Sequence, residues 1–211
     1  MARIRLRQHV NPLSIQYQRP SPLPDWADIY QDLSLPLYID IGCARGHFIA
    51  QMAQIETQIN FLGIEIRRAL VTEANQWRDD NNLTNLHYLF ANLNHDLKDL
   101  LQSLPCEKIK MIMVQFPDPW FKKKHQKRRV IQPEIIDIFA QYLPNECQIF
   151  LQSDIKEVAE EMAQRFLSHP RFSPQHPDIW LKQSPFAVKT EREIATENKH
   201  QPVYRTLIRV R

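Results

Sequence analysis

Five times between residues 37 and 167, a short apolar run is followed by a stretch whose apolar residues return every three or four positions. The runs cover 37–41, 61–66, 86–90, 109–116 and 148–152, and the stretches between and after them cover 48–55, 67–82, 96–104, 133–143 and 158–167. Period-two or continuously apolar runs are strands, and period-3.6 stretches are amphipathic helices. In 67–82 the expected apolar face carries Ala69, Leu70, Ala74 and Trp77. A strand–helix alternation repeated this often has one economical solution, a mostly parallel, doubly wound sheet with right-handed crossovers and helices on both faces. The run 109–116 is the most apolar and is expected at the centre, buried on both sides. A further helix is expected at 26–33, and the tail supplies 179–182 and a last alternating strand at 204–210.

A Rossmann-like α/β sheet binds its ligands at the carboxyl ends of the strands, where the strand order reverses. Each loop after a strand is therefore a candidate site. The loop after the first strand reads Asp40-Ile41-Gly42-Cys43-Ala44-Arg45-Gly46. The chain has only 3 glycines in 211 residues, where about 15 are expected at average usage. Two of them fall in this loop and the third, Gly63, lies just before Glu65. The dinucleotide pattern GxGxxG needs a third glycine at position 47, where the chain has His47, so a nucleoside cofactor without a pyrophosphate fits better.

Glu65 follows Gly42 at about the 20-residue separation at which an acidic side chain reaches ribose hydroxyls. Asn92, at the end of the third strand, offers an amide that donates and accepts toward an adenine edge. The fourth strand runs into Pro117, Asp118, Pro119 and Trp120. Two prolines restrict the residues before them and remove two donors, which presents the Asp118 carboxylate in one orientation. Trp120 offers a flat surface for a base.

The charge is unevenly spread. The chain has 27 basic and 24 acidic residues, and six of the basic ones, Lys122, Lys123, Lys124, Lys127, Arg128 and Arg129, occupy a single stretch, leaving the rest net acidic. With Arg3, Arg5 and Arg7 this suggests a polyanion held at defined places, nucleic acid first. The long polar loop 117–132 exceeds ordinary βα connections, and such loops are functional or mobile. Cys43, Cys106 and Cys147 show no CxxC spacing, which argues against disulfides and zinc and for a reducing compartment. No apolar run approaches a membrane span and no signal core is present, so a cytoplasmic chain is expected, with a basic, partly flexible arm at 1–24 and one domain at 25–211.

The motif at 117–120, the Lys/Arg-rich stretch behind it and the run Arg128-Arg129-Val130-Ile131-Gln132-Pro133 resemble the tRNA (guanine-N7-)-methyltransferase family. The resemblance covers most of the chain, through Thr190-x-x-Glu193. It implies a class I methyltransferase domain that uses S-adenosyl-L-methionine to methylate N7 of a guanine in the tRNA variable loop, with neither metal nor membrane. By position, Asp40, Gly42, Gly46, Glu65, Asn92 and Asp118 would hold the cofactor, with Asp118 also catalytic. Lys122, Asp154, Thr190 and Glu193 would meet the substrate, and Lys123, Lys124, Lys127, Arg128 and Arg129 the RNA phosphates. Ala44 stands where the family usually has glycine, implying a looser approach to the methionine moiety, and Asn92 where it often has aspartate. Two other readings stay open: methylation of an exocyclic amine on RNA, DNA or protein, and a non-catalytic RNA-binding module on the same fold.

Overall fold

Alternation along each strand sorts the side chains onto two faces and so places the helices. In the computed structural model, which describes residues 10–211, the elements are α1 (Trp26–Ile29), β1 (Leu37–Ile41), α2 (His47–Ile55), β2 (Asn60–Glu65), α3 (Arg68–Asp80), β3 (Leu86–Phe90) and α4 (Leu93–Ser103). They continue with β4 (Ile109–Gln115), α5 (Pro133–Tyr142), β5 (Gln148–Ser153), α6 (Lys156–Leu167), β6 (Phe172–Pro174), α7 (Glu191–Glu197) and β7 (Tyr204–Val210). Leu37, Ile39 and Ile41 of β1 share a core with Ile112 and Val114 of β4 and with α4, α5 and α6. The intervening Met111 and Met113 face the other way, into a core with Phe61, Tyr88 and the apolar sides of α2 and α3. The expected central strand is central, and it is buried on both faces.

The sheet order is β3-β2-β1-β4-β5-β7-β6. Pairing is parallel from β3 to β5, and β7 runs antiparallel between β5 and β6. The order reverses between β1 and β4, so the loops at 42–46 and 116–120 open side by side.

Four expectations shift. The helix at 26–33 stops at Ile29: Asp25 caps it by accepting from the Ala27 amide, and Tyr30 turns extended so that its hydroxyl donates to the Phe61 carbonyl at 3.0 Å. Helix α4 starts before Asp96. Asn92 accepts from the Asn94 amide, and the Asp96 carboxylate accepts in return from the Asn92 amide at 2.8 Å, a reciprocal cap that fixes the first turn. Residues 179–182 form no strand; β7 pairs instead with the three-residue β6. In α3 the buried stripe is Leu70, Val71 and Ala74, with Ala69 exposed and Trp77 39% exposed.

Residues 1–9, with Arg3, Arg5 and Arg7, lie outside the described residues. Residues 10–24 follow the start of α4: the Asn92 amide donates to the Pro12 and Tyr17 carbonyls, both at 2.9 Å, and the Ser21 amide donates to Asp96 at 3.0 Å.

Candidate active site

The loops at the β1/β4 reversal, with the ends of β2, β3 and β5 and the start of α7, enclose a cleft of about 680 Å³. Its floor is the 42–46 loop. Gly42 has φ +76° and no atom within 4 Å of where a Cβ would stand, so the loop keeps open space above its first turn. Ala44 adopts φ +53°, the left-handed region that glycine enters without steric cost. The loop thus follows a glycine-like path despite its alanine, and the Ala44 amide donates to Glu65 Oε2 at 3.0 Å.

Gly46 is required for a different reason. A Cβ there would lie 2.0 Å from Cε1 of Tyr88, whose ring is 2% exposed and whose hydroxyl donates back to the Gly46 carbonyl at 2.9 Å. Tyr88 cannot move aside without losing that bond, and Gly46 also has φ +73°. Gly46→Ala is expected to destabilise the fold by about 3 kcal/mol, lowering Tm by roughly 6–12 °C. Thermal unfolding by circular dichroism checks this, and a Tm within 2 °C of wild type would refute it. Tyr88 presses likewise on Gly63, so its packing constrains two of the three glycines, and one of them, Gly46, also lines the cleft.

Around the floor stand the acids. Asp40 is buried at the end of β1, where Gln115 donates to its Oδ1 at 3.2 Å. Burial pushes its pKa up to about 7, the Gln115 hydrogen bond pulls it down, and the neighbouring Glu65 raises it further. Glu65, also buried, has four N–H donors on its two oxygens: the Arg67 amide and Nε on Oε1, the Arg67 terminal nitrogen and the Ala44 amide on Oε2. A carboxylate has about four acceptor positions, so ribose hydroxyls can bond Glu65 only by exchanging with some of these donors. Burial and then the fields of Asp40 and Glu65 hold the Cys43 thiol well above the ordinary range, which disfavours its thiolate form.

Asn92 lines the cleft, but both of its amide hydrogens go to Pro12 and Tyr17 and its oxygen accepts from Asn94. In this arrangement its side chain holds residues 12–17 against the cleft. Asp118 is half-buried on the opposite wall. The residues on either side of its Pro-Asp-Pro unit, Phe116 at φ +48° and Trp120 at φ +42°, occupy the left-handed region, unusual for bulky side chains. Such strain persists where the surroundings over-determine the backbone, and it gathers at functional sites. The Arg67 guanidinium acts electrostatically on Asp118 as well as gripping Glu65.

The basic stretch forms a 3-10 turn, Lys123–Arg128, beside this wall. Lys122, Lys123, Lys124 and Lys127 are exposed. Arg128 is half-buried with its guanidinium 4.9 Å from the Trp120 ring centroid, so it covers one face of the expected base platform. Arg129 departs from expectation. It is 6% exposed, donates through Nε to the Pro119 carbonyl at 2.7 Å and pairs with Glu157 and Glu161 of α6. Its charge is neutralised inside the protein, so it braces the loop and is not placed to meet a phosphate. Arg165 on α6 ties down the Ile131 carbonyl, and the Gln132 amide donates to the carbonyls of Gln126 and Arg129. The loop 117–132 is therefore pinned along its length.

Asp154 and Thr190 reach the cleft; Glu193 does not line it. Thr190 caps α7 by accepting from the Glu193 amide at 3.1 Å, and Asp154 pairs with Arg192. Glu193 is 1% exposed and accepts from Arg205 at 2.7 Å, so its carboxylate lies beneath the substrate wall rather than in it. Three participants carried no motif signal: Gln115, Arg67 and Tyr88. Gln115 and Tyr88 act through partners distant in sequence, whereas Arg67 grips Glu65 two positions before it.

The cleft is of a size usual for small-molecule sites. Its buried acids Asp40 and Glu65, set among a lining that also carries Arg45, Arg67, Arg128 and Arg192, suit a cofactor with positive charge and a vicinal diol. Among the described residues no group of three or more His, Cys, Asp or Glu could hold a metal ion, and no helix is long and apolar enough to cross a membrane.

Comparison with known proteins agrees with this geometry. The fold matches the aminoglycoside resistance methyltransferase NpmB1 with a TM-score of 0.58, at 11% identity over 87% of this chain and 89% of that one. The 16S rRNA methyltransferase KamB matches with a TM-score of 0.55, at 12% identity over 87% and 89%. A family model described as "Putative methyltransferase" spans residues 34–206. The tRNA (guanine-N(7)-)-methyltransferase of Microcystis aeruginosa is 55% identical over 211 residues, all of both chains, and that of Synechococcus elongatus is 52% identical over 207 residues, 98% of this chain and 97% of its own. With the cofactor cleft, the Pro-Asp-Pro-Trp wall and the basic turn in one place, and with relatives this similar from end to end, the chain belongs to the tRNA (guanine-N(7)-)-methyltransferase family.

Proposed function

We infer that this protein transfers the methyl group of S-adenosyl-L-methionine to N7 of a guanine in tRNA, giving 7-methylguanosine, and that the guanine lies in the variable loop. The observation that carries the reading is the strained 116–120 turn, which sets the Asp118 carboxylate on the cleft wall next to four exposed lysines. S-Adenosyl-L-methionine bound in the cleft supplies a methyl group activated by its sulfonium. Asp40 and Glu65 provide negative charge toward it, and the 42–46 loop provides close backbone. N7 bears a lone pair and no proton, so Asp118 need not act as a base. It accepts hydrogen bonds from the guanine N–H groups and stabilises the positive charge that develops on the ring. Thr190 and Asp154 line the substrate side of the cleft.

Lys122, Lys123, Lys124 and Lys127 hold backbone phosphates, which fix the register of the RNA without reading its sequence. Three free thiols, one on the cofactor loop, suit a reducing cytoplasmic setting.

The direct test incubates the protein with labelled S-adenosyl-L-methionine and unmodified tRNA, then analyses the nucleosides. Label in 7-methylguanosine is the expected result, whereas label on an exocyclic amine would replace this reading with the other methyltransferase class. For the basic turn, Lys123→Ala, Lys124→Ala and Lys127→Ala combined should weaken tRNA binding. The slope of log K against log salt should fall by roughly 2–3, at about 0.7–0.9 per phosphate contact. An unchanged slope in titrations between low and moderate salt would reduce the turn to a solvated surface.

A further inference from the structure

Beneath the cleft, a chain of buried polar side chains crosses the sheet from the cofactor side to the substrate side. It follows adjacent strands β1, β4, β5 and β7. Gln115 Nε2 donates to Asp40 Oδ1 at 3.2 Å, and Gln152 Nε2 donates to Gln115 Oε1 at 2.8 Å. The same Gln152 nitrogen donates to Glu193 Oε2 at 3.4 Å. Glu193 Oε1 accepts from Arg205, which also donates to Glu197 at 2.8 Å. Gln152 has one further tie, since its carbonyl accepts from the Phe116 amide at 2.8 Å, where the strained turn begins. One fully buried residue thus joins the acid at the cofactor end, the backbone entering the Pro-Asp-Pro unit and the first turn of α7.

The direction of this chain is fixed by its ends. An ionised carboxylate only accepts, so Glu193 holds the Gln152 amide with its nitrogen toward the carboxylate. That orientation also aims the nitrogen at Gln115 Oε1, and Gln115 is left with its own nitrogen toward Asp40. The arrangement is incompletely satisfied: among the described residues, the buried Gln152 Oε1 and Arg205 Nε have no hydrogen-bond partner. A ligand that interacts differently with two arrangements of one end of such a chain biases the arrangement of the other.

We propose that Gln152 is a positioning residue whose side chain couples occupancy of the cofactor cleft to the α7 wall, acting through Gln115 on one side and Glu193 on the other. The proposal rests on the reading of the protein as a tRNA methyltransferase. Cofactor and tRNA therefore bind cooperatively, and the cooperativity passes through this side chain.

The test measures tRNA affinity with and without saturating S-adenosylhomocysteine in the wild-type protein, Gln152→Met and Gln115→Met. The wild-type protein is expected to bind tRNA about 5–20-fold tighter with S-adenosylhomocysteine present. In Gln152→Met each ligand alone binds within about threefold of wild type, while the ratio falls to about 1. General loosening of the fold would weaken both affinities and leave the ratio standing. Gln115 is half-buried at the cofactor end of the link, and Gln115→Met reports the same ratio from a second break in it. A wild-type ratio below 2, or a ratio that survives in the variants, overturns the coupling. If wild-type protein instead fails to bind tRNA or makes no 7-methylguanosine, the functional reading itself fails, and the coupling with it.

Discussion

Asp118→Asn should lower kcat by roughly 10²–10³-fold, the usual cost of removing one group aimed at transition-state charge, and leave the affinity for S-adenosylhomocysteine within about threefold. Asparagine keeps the shape of the side chain, and the 116–120 turn is set by its prolines and by Phe116 and Trp120 rather than by the carboxylate. What is lost is a full negative charge and an acceptor. Methylation at N7 makes the guanine ring cationic, so a carboxylate beside it interacts more strongly with the transition state than with the neutral substrate. That difference is felt in kcat and not in ground-state binding. Single-turnover methylation together with calorimetric cofactor binding separates the two quantities. An Asp118→Asn enzyme with activity within threefold of wild type would remove Asp118 from the chemistry.

Asp40→Asn should do two opposite things, stabilising the ligand-free protein in alkaline solution while weakening cofactor binding by roughly 10–100-fold, as for a lost hydrogen bond to a charged group. Asp40 is pushed up to about 7 in the folded protein by burial, against an ordinary value near 4, with Gln115 pulling down and Glu65 pushing up. A raised carboxyl pKa means that ionisation opposes folding, so the cost of Asp40 is full above pH 7 and fades as pH falls toward 4. Removing the charge should therefore gain roughly 2–4 kcal/mol at pH 8 and less than about 1.5 kcal/mol at pH 5. Melting curves at the two pH values check the sign, and an Asp40→Asn protein that melts below wild type at pH 8 would contradict it. The cationic cofactor favours the ionised form, so wild-type binding should release a proton and weaken below pH 7.

Much of the fold could be read from the chain because apolar period alone separates the two cores: Ile112 and Val114 face one way, Met111 and Met113 the other. The acids at strand ends were equally legible, since position after a strand is a sequence property. What the chain alone leaves out arises where one residue type serves two purposes. Asn92 looks the same whether it reads a base or caps a helix, and only the fold shows Pro12 and Tyr17 on its amide. Thr190 and Glu193 read as a substrate motif and also as a helix start. The second use is what places Thr190 at the cleft and Glu193 beneath it. Arg129 is indistinguishable from its basic neighbours until α6 brings Glu157 and Glu161 to it from about thirty residues away. Glycine scarcity pointed to the right region for a partly different reason, because Tyr88, more than forty positions from Gly46, sets what that position and Gly63 can tolerate.

The bracing of the basic turn by Arg129, Gln132 and Arg165 has a kinetic consequence. A charged loop that orders only on contact would lose its conformational freedom at the moment of binding and dissociate readily. Here the lysines stand on a frame already fixed by folding, so the spacing of charges exists before the RNA arrives. Encounter is then a meeting of two preformed surfaces, fast and steered by long-range attraction, with ionic strength acting chiefly on the association rate. Such a protein can sample many tRNAs briefly and stay with those whose folded shape matches the spacing.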